Sequence, residues 1–370
     1  MRIEVCMQFG QPSGTAPFVL SVLAIGSTGV GVTASDGLAH TIALAQTADR
    51  TGYHRFWMSE HHAMPAASIA APQLMVARLV GETARIRLGA GGIMLPNHAP
   101  LMVAEQFGML EALAPGRIDL GLGRAPGTDG ATAAALRRGE DANDHFPQHV
   151  VELMGFLDDD FPAGHRYRGI HAVPGPWQAA QNRIDGALSG PDVWILGSSP
   201  YSALLAAQLG RPYAFALQFG DADVATAVRL YRENFRPSDV LDRPYVLVSV
   251  PVAVAENHEE ARRHASTSAM AMLRMFQRKG YQLLTADEVE AYPATSREQS
   301  IIDDYTHRSF HGTPAVVADR LMQLYERTGA DELMLAVGGH SNTFDRNAIE
   351  LIADYFGLPA STSAAPSVGG

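Results

Sequence analysis

The sequence predicts a (β/α)8 barrel, the TIM-barrel architecture of the α/β class. Eight short apolar runs of strand character alternate with stretches of 3.6-residue apolar spacing, so strand and helix succeed each other along the chain. The rival for such a pattern is an open, doubly wound sheet, which carries a GxGxxG turn after its first strand. Gly26, Gly29 and Gly31 lack that spacing. One barrel domain over residues 18–358 is therefore expected.

The first barrel strand is read at 18–24. An earlier run at 3–9 also has strand character, so residues 1–17 form an N-terminal extension that the sequence leaves open as an edge segment, a tag or an upstream start. A helix at 37–51 leads to strand 54–58, a helix at 69–84 to strand 86–95, and a helix at 99–113 to strand 118–122, with a further helix at 127–138. The stretch 139–190 exceeds a minimal barrel connection. It holds an acidic run at 158–160, read as a solvated turn, and a strand-like segment at 167–173. Strand 193–196, helix 200–210, strand 213–217, helix 221–235, strand 245–255 and helix 256–278 follow. A second long stretch, 279–312, precedes helix 313–329 and the last strand at 332–337. Insertions thus fall after strand 4 and between strands 7 and 8, where long barrel segments serve as lids or subunit contacts. Residues 359–370, rich in Ser, Ala and Gly, predict a flexible tail.

With 46% hydrophobic and 18% charged residues the composition is globular. A net charge of -11 excludes the basic surface that a nucleic acid or an anionic membrane needs. The apolar run 18–32 is short, broken by glycines and without the charged start of a signal peptide, and no window is long enough to span a bilayer. The one cysteine, Cys6, rules out an internal disulfide and a cysteine-built metal centre, which points to a reducing compartment, the cytoplasm.

Polar chemistry gathers at strand C-terminal ends, the catalytic face of such barrels. Glu60, His61 and His62 leave the second strand, and since adjacent residues leaving a strand point to opposite sides, one imidazole faces the mouth. A metal centre drawing on His54 or His98 lacks any fixed ligand spacing, and no metal is expected. Gly89, Ala90, Gly91 and Gly92 pave the third strand, where glycine signals close approach of another group, here a flat ligand. Gly197, Ser198, Ser199, Tyr201 and Ser202 join the fifth strand to a helix, and hydroxyls beside a helix N-terminus suit a phosphate. A plain helix cap would also use Ser before Pro. Arg124, ending the fourth strand, supplies the formal charge, with Arg137 or Arg138 assisting. Met58, Met94 and Leu95 line the cavity, whereas Phe56 and Trp57 read as strand core.

Five motifs occur in order: EHH at 60–62, LPNH at 95–98, AEQF at 104–107, PGR at 115–117 and DLGLGRAPGTD at 119–129. Over residues 20–358 the chain resembles the bacterial-luciferase-like flavin monooxygenases, most closely their single-chain, alkanal-monooxygenase-like branch. The resemblance implies reduced FMN at the barrel mouth, reacting with O2 to a 4a-hydroperoxyflavin that oxidises a small organic substrate, an aldehyde or similar. It assigns His61 to the flavin as base or peroxyflavin donor, with Glu60 orienting it. Gly91, Gly92, Met94, Arg124, Gly197, Ser198, Ser199, Tyr201 and Ser202 are assigned to the cofactor, with a cis peptide between Gly91 and Gly92. Gly123 stands where many luciferases carry a cysteine, so no reactive thiol is expected at the flavin. A separate reductase is implied as the source of reduced FMN, because the chain has no second nucleotide fold for NAD(P)H; a homodimer through the second and third barrel helices is implied as well. Light emission is not.

A deazaflavin-dependent dehydrogenase or reductase on the same barrel is the alternative; it would favour a longer, more basic groove than this acidic chain suggests. A non-catalytic flavin-binding protein is the reading from another class, and the joint presence of His61, Arg124 and the phosphate turn weighs against it. Segments 139–190 and 279–312 would set the substrate, and they carry no readable code.

Overall fold

The computed structural model describes residues 9–139, 141–184, 189–219 and 223–360. Among them are nine strands: β1 Val19–Ala24, β2 Arg55–Met58, β3 Arg87–Met94, β4 Ile118–Gly123, β5 Asp192–Gly197, β6 Tyr213–Ala216, β7 Val246–Val254, β8 Phe310–Gly312 and β9 Glu332–Val337. Eight of them pair in parallel into a closed ring, in the order β1 to β7 and then β9, which returns to β1. The short β8 pairs only with the far end of β7. The chain is thus an α/β protein with a closed, eight-stranded parallel barrel, and the eight predicted strands are those of the ring, shifted by at most one residue at their ends.

The helices are α1 Ala34–Thr51, α2 Pro72–Val80, α3 Pro100–Leu113, α4 Gly130–Ala135, α5 Phe146–Asp158, α6 Pro176–Gln181, α7 Pro200–Gln208, α8 Val224–Asn234, α9 His258–Phe276, α10 Ala286–Glu290, α11 Ser296–Arg308, α12 Pro314–Thr328 and α13 Asn342–Phe356. Their limits follow local chemistry. Thr33 and Asp36 form a reciprocal capping box at the start of α1, and Gly52, at φ 92, ends it in the left-handed region. Proline occupies the first turn of α2, α3, α7 and α12, where its missing N–H is not needed.

Three expectations are corrected. Residues 167–173 make turns rather than a strand, because Tyr167 joins Phe156, Phe161 and His165 in a local aromatic cluster and no strand lies alongside to pair. The helix read at 127–138 shrinks to α4, since Gly127 takes φ 66 and Asp129 caps the Thr132 N–H. Helices α5 and α13, both unanticipated, bury Phe146, Val150, Leu153 and Phe156, and Phe344, Ile349, Ile352 and Phe356, against the barrel. The long stretch before β9 holds α10, α11 and β8.

The apolar run at 3–9, with Cys6, lies outside the described residues except for Phe9, and so does the tail from 361 on. Phe9 stacks on Tyr245 with ring centroids 4.1 Å apart and packs against the cluster that fills the barrel interior. Among the described residues no helix is long and apolar enough to cross a membrane.

Candidate active site

The barrel interior is built in layers from its N-terminal end. At the bottom lies a buried ionic lattice. Arg55 donates to Glu332 and to Asp119, each at 2.7 Å, and Arg87 donates to Asp119 at 2.7 Å and to Asp192 at 2.6 Å. Tyr245 donates to Glu332 at 3.0 Å. Burial alone would raise Asp119, but Arg55 and Arg87 hold it below the ordinary carboxylate range. Burial wins at Asp192, pushed up to about 7 against the pull of Arg87.

Trp57 lies above the lattice. Its indole N–H donates to Asp119 at 2.8 Å, and it meets Trp194 edge-on at 5.2 Å. This indole revises the reading of the third strand. A methyl group on Gly89 would come within 2.6 Å of Asp119 and 2.9 Å of the indole nitrogen, and one on Gly91 within 2.6 Å of the indole ring. The protein's own groups, Asp119 first at Gly89 and Trp57 at Gly91, rather than a ligand alone, therefore require those two glycines. At Gly92 an added methyl would meet the Gly121 carbonyl at 2.5 Å, so the backbones of β3 and β4 also crowd there. The Gly91–Gly92 peptide is cis, as the resemblance implies.

A cavity of about 370 Å³ opens above Trp57 at the C-terminal mouth, within the range of small-molecule sites. All nine residues expected to bind a cofactor line it: Gly91, Gly92, Met94, Arg124, Gly197, Ser198, Ser199, Tyr201 and Ser202. Arg124 lays its guanidinium 4.2 Å from the centre of the Tyr201 ring and makes no ion pair among the described residues. Ser199 is the N-cap of α7, yet its hydroxyl makes no capping bond. Ser202 instead donates to the Ser199 carbonyl at 2.9 Å, and a methyl on Gly197 would strike that hydroxyl at 2.4 Å. Arg138 is a strut rather than a ligand group: it holds the Arg124 carbonyl, Asn97 and Asn143.

The two residues expected to be catalytic stand one layer behind the lining. Glu60 is fully buried and accepts from the Met94 N–H at 3.1 Å, Asn97 at 3.2 Å, His98 at 2.9 Å and His62 at 2.9 Å. Burial would raise it, and the bonds from His98, His62 and Met94 outweigh that and keep the carboxylate ionised. The hydrogen-bonded partners of Glu60 are thus His62 and His98, in place of the expected His61. Residues 60 and 62 share one side of an extended segment, a period-two signal the sequence already contained. His61 has its Nδ1 buried without a partner; burial lowers its pKa, offset in part by a bond to the Gly127 backbone. It therefore holds a neutral imidazole at pH 7.

Several lining residues were not read from the sequence. Trp57, assigned to the core, is both core and cavity wall; Leu23, Leu196, Ala214, Leu247 and Met334 complete the deep part. Ser249 donates to Gln218 at 2.8 Å on the β6 and β7 side. A polar residue two places after Leu247 in an inward-facing strand phase was the available signal. Among the described residues no group of three or more His, Cys, Asp or Glu side chains is placed to hold a metal ion.

A closed parallel barrel with an arginine-rimmed cavity at its C-terminal mouth is the architecture of a barrel enzyme whose chemistry sits at the strand ends. The profile of the luciferase-like monooxygenases matches residues 18–332, and the chain belongs to that flavin-dependent family of enzymes. It is similar to a luciferase-like monooxygenase of Escherichia coli K12, 38% identical over 319 residues that cover 86% of this chain and 90% of the relative. It is also similar to the N-acetyl-S-alkylcysteine monooxygenase of Bacillus subtilis, 34% identical over 308 residues, 82% of this chain and 88% of that one. The crystal structure of apo-MsnO8 superposes with a TM-score of 0.80 at 34% identity, over 93% of this chain and 99% of that one. Structures of the same fold at 18% and 15% identity hold FMN and the deazaflavin F420, respectively.

Proposed function

We propose that the cavity binds reduced FMN, delivered by a separate flavin reductase, and that the protein uses it with O2 to oxidise a small organic substrate, an aldehyde or a molecule of comparable size. The observation that carries this reading is the cationic pole of the cavity: Arg124, without an ion pair among the described residues, stacked on Tyr201 beside the first turn of α7. The first N–H groups of a helix lack internal partners and favour a phosphate, and Ser198 and Ser199 add hydroxyl donors. The dianionic tail of FMN matches that pole, and a ring of its size suits the remaining volume.

Bound reduced FMN supplies the electrons that activate O2. The chain's own residues do the rest. Arg124, Tyr201 and the α7 turn anchor the phosphate, and Met94, Gly91 and Gly92 wall the ring. The apolar interior around Leu23 and Met334 excludes water from a reactive oxygen species. Glu60 fixes the end of β3 through the Met94 N–H, and His61, a neutral imidazole one layer behind the lining whose buried Nδ1 has no partner among the described residues, is the group that would accept or return a proton near the ring. The supporting observation for a homodimer is the outer face of α2 and α3, where Leu74, Met102, Met109 and Leu113 are exposed. The single cysteine supports a cytoplasmic location.

The test is an anaerobic titration with reduced FMN, followed by admission of oxygen in the presence of aldehydes and thioethers, with oxygen uptake and product analysed. Saturable FMN binding with substrate-dependent oxygen uptake is expected. Tight binding of a deazaflavin with no response to FMN or oxygen would make the protein a hydride-transfer enzyme instead.

A further inference from the structure

The cavity has two chemically opposite poles. Its rim carries Arg124 and the serines of the α7 turn, while its floor is laid by Leu23, Trp57, Ala214, Leu247 and Met334, none of which offers a free polar atom. Trp194, whose indole N–H is buried without a partner among the described residues, meets Trp57 edge-on and does not border the cavity, and the other donors around that floor are engaged. The Trp57 N–H is held by Asp119, the Tyr245 hydroxyl by Glu332, and the Ser249 hydroxyl by Gln218. Beneath it lie the carboxylates Asp119 and Glu332, and the cation that pairs with both, Arg55, is separated from the cavity by indole, with its guanidinium 4.6 Å from the Trp194 ring centre and 5.7 Å from that of Trp57.

We infer that this floor receives the dimethyl-substituted benzenoid edge of the flavin, and that it thereby selects FMN against 8-hydroxy-5-deazaflavins. The inference rests on the FMN reading above. An isoalloxazine has one apolar edge with two methyl groups and one pyrimidine edge with two carbonyls and an N–H. Seated on this floor, the pyrimidine edge would leave three polar groups without partners, which is costly away from water. The benzenoid edge leaves none and buries its methyls. The pyrimidine edge then faces the mouth end, where Gln218, Asn143 and Ser198 border the cavity. An 8-hydroxy-5-deazaflavin replaces the methyl edge with a hydroxyl, a phenol in the reduced ring. In the same seat that hydroxyl meets no free partner on the cavity lining, so desolvation and the lost methyl contacts oppose it.

Three reduced ligands that share the ribityl phosphate and differ only in the ring separate the possibilities: FMN, 7,8-didemethyl-FMN, and the 5′-phosphate of 8-hydroxy-5-deazariboflavin. Each is titrated anaerobically into the full-length protein, and binding is read from quenching of tryptophan fluorescence. The didemethyl analogue is expected to bind about tenfold more weakly than FMN, the worth of two buried methyl groups, and the deazaflavin phosphate on the order of 100-fold more weakly. Leu247→Asn, which sets a donor into the floor, should narrow the preference for FMN over the deazaflavin phosphate by about tenfold. Equal affinity for FMN and its didemethyl analogue, or a deazaflavin phosphate that binds as tightly as FMN, would overturn the inference and leave the FMN site standing. Failure of FMN itself to bind would overturn both.

Discussion

Glu60 joins the ends of β2 and β3 through four hydrogen bonds, yet it does not border the cavity. Arg138 extends that framework from Asn97 to the carbonyl of Arg124, so the histidine-bearing loop and the anion-binding arginine are held by one connected set of polar groups. The proton-handling and phosphate-binding roles can be separated at single residues. His61→Ala should leave FMN affinity within a few-fold of the parent and lower oxygenation by roughly two to four orders of magnitude, the usual worth of a general base. Arg124→Ala should do the reverse, weakening FMN by on the order of 100-fold through loss of a charge-assisted contact. Equilibrium titration and single-turnover rates on the two variants check this; parallel losses of affinity and rate in His61→Ala would reassign it to positioning the loop. At this scale the nine residues could be placed at the cavity from sequence because they lie at or beside strand ends, where barrels place their chemistry. The pairing of Glu60 with His62 was legible as period two, whereas its bond to His98, 38 positions on, follows from no local pattern.

Three neighbouring strands share the buried charges at the barrel floor: Arg87 on β3, Asp119 on β4 and Asp192 on β5. Because burial outweighs the pull of Arg87, which Asp119 also engages, Asp192 keeps a proton up to about pH 7, well above its ordinary 3.8. Between about pH 4 and 7 the unfolded chain has released that proton and the native protein has not, so this group removes stability as pH rises through the window. Asp192→Asn cannot titrate. Its melting temperature relative to the parent should therefore increase as pH rises from about 4 to 7 and level off above. His54 acts in the opposite sense, since burial pushes its pKa down to about 4; comparing the variant with the parent at each pH cancels that contribution. A variant-to-parent difference that stays constant across the window would mean that Asp192 is ionised throughout. Element by element, the barrel strands were legible from apolar runs, and α9 and α12 from their 3.6-residue spacing. Helix α5 was hidden because it lies inside a connection read as an insertion, and 167–173 was misread because apolar alternation also serves an aromatic cluster.

Over the whole molecule, the exposed apolar side chains of α2 and α3 form the surface proposed for homodimerisation. Light scattering on the purified protein should give twice the chain mass, and Leu113→Asp combined with Met109→Glu should yield monomers that retain the fold by circular dichroism, because a charge at the centre of an apolar contact is left unpaired. A parent protein that is monomeric at micromolar concentration would remove the proposal. The sequence alone determined the alternation of strand and helix, the closure into a barrel, the family resemblance and nine of the residues that line the cavity. All of these follow from local periodicity and from the rule that barrel chemistry sits at strand C-terminal ends. Only the tertiary structure decided why Gly89 and Gly91 carry no side chain, that His98 holds Glu60, and that the cavity floor is apolar above a sealed ionic lattice. These depend on which side chains from distant strands meet inside the barrel. Trp57 meets Asp119 across 62 positions of sequence and Arg55 meets Glu332 across 277, and no local pattern encodes such encounters.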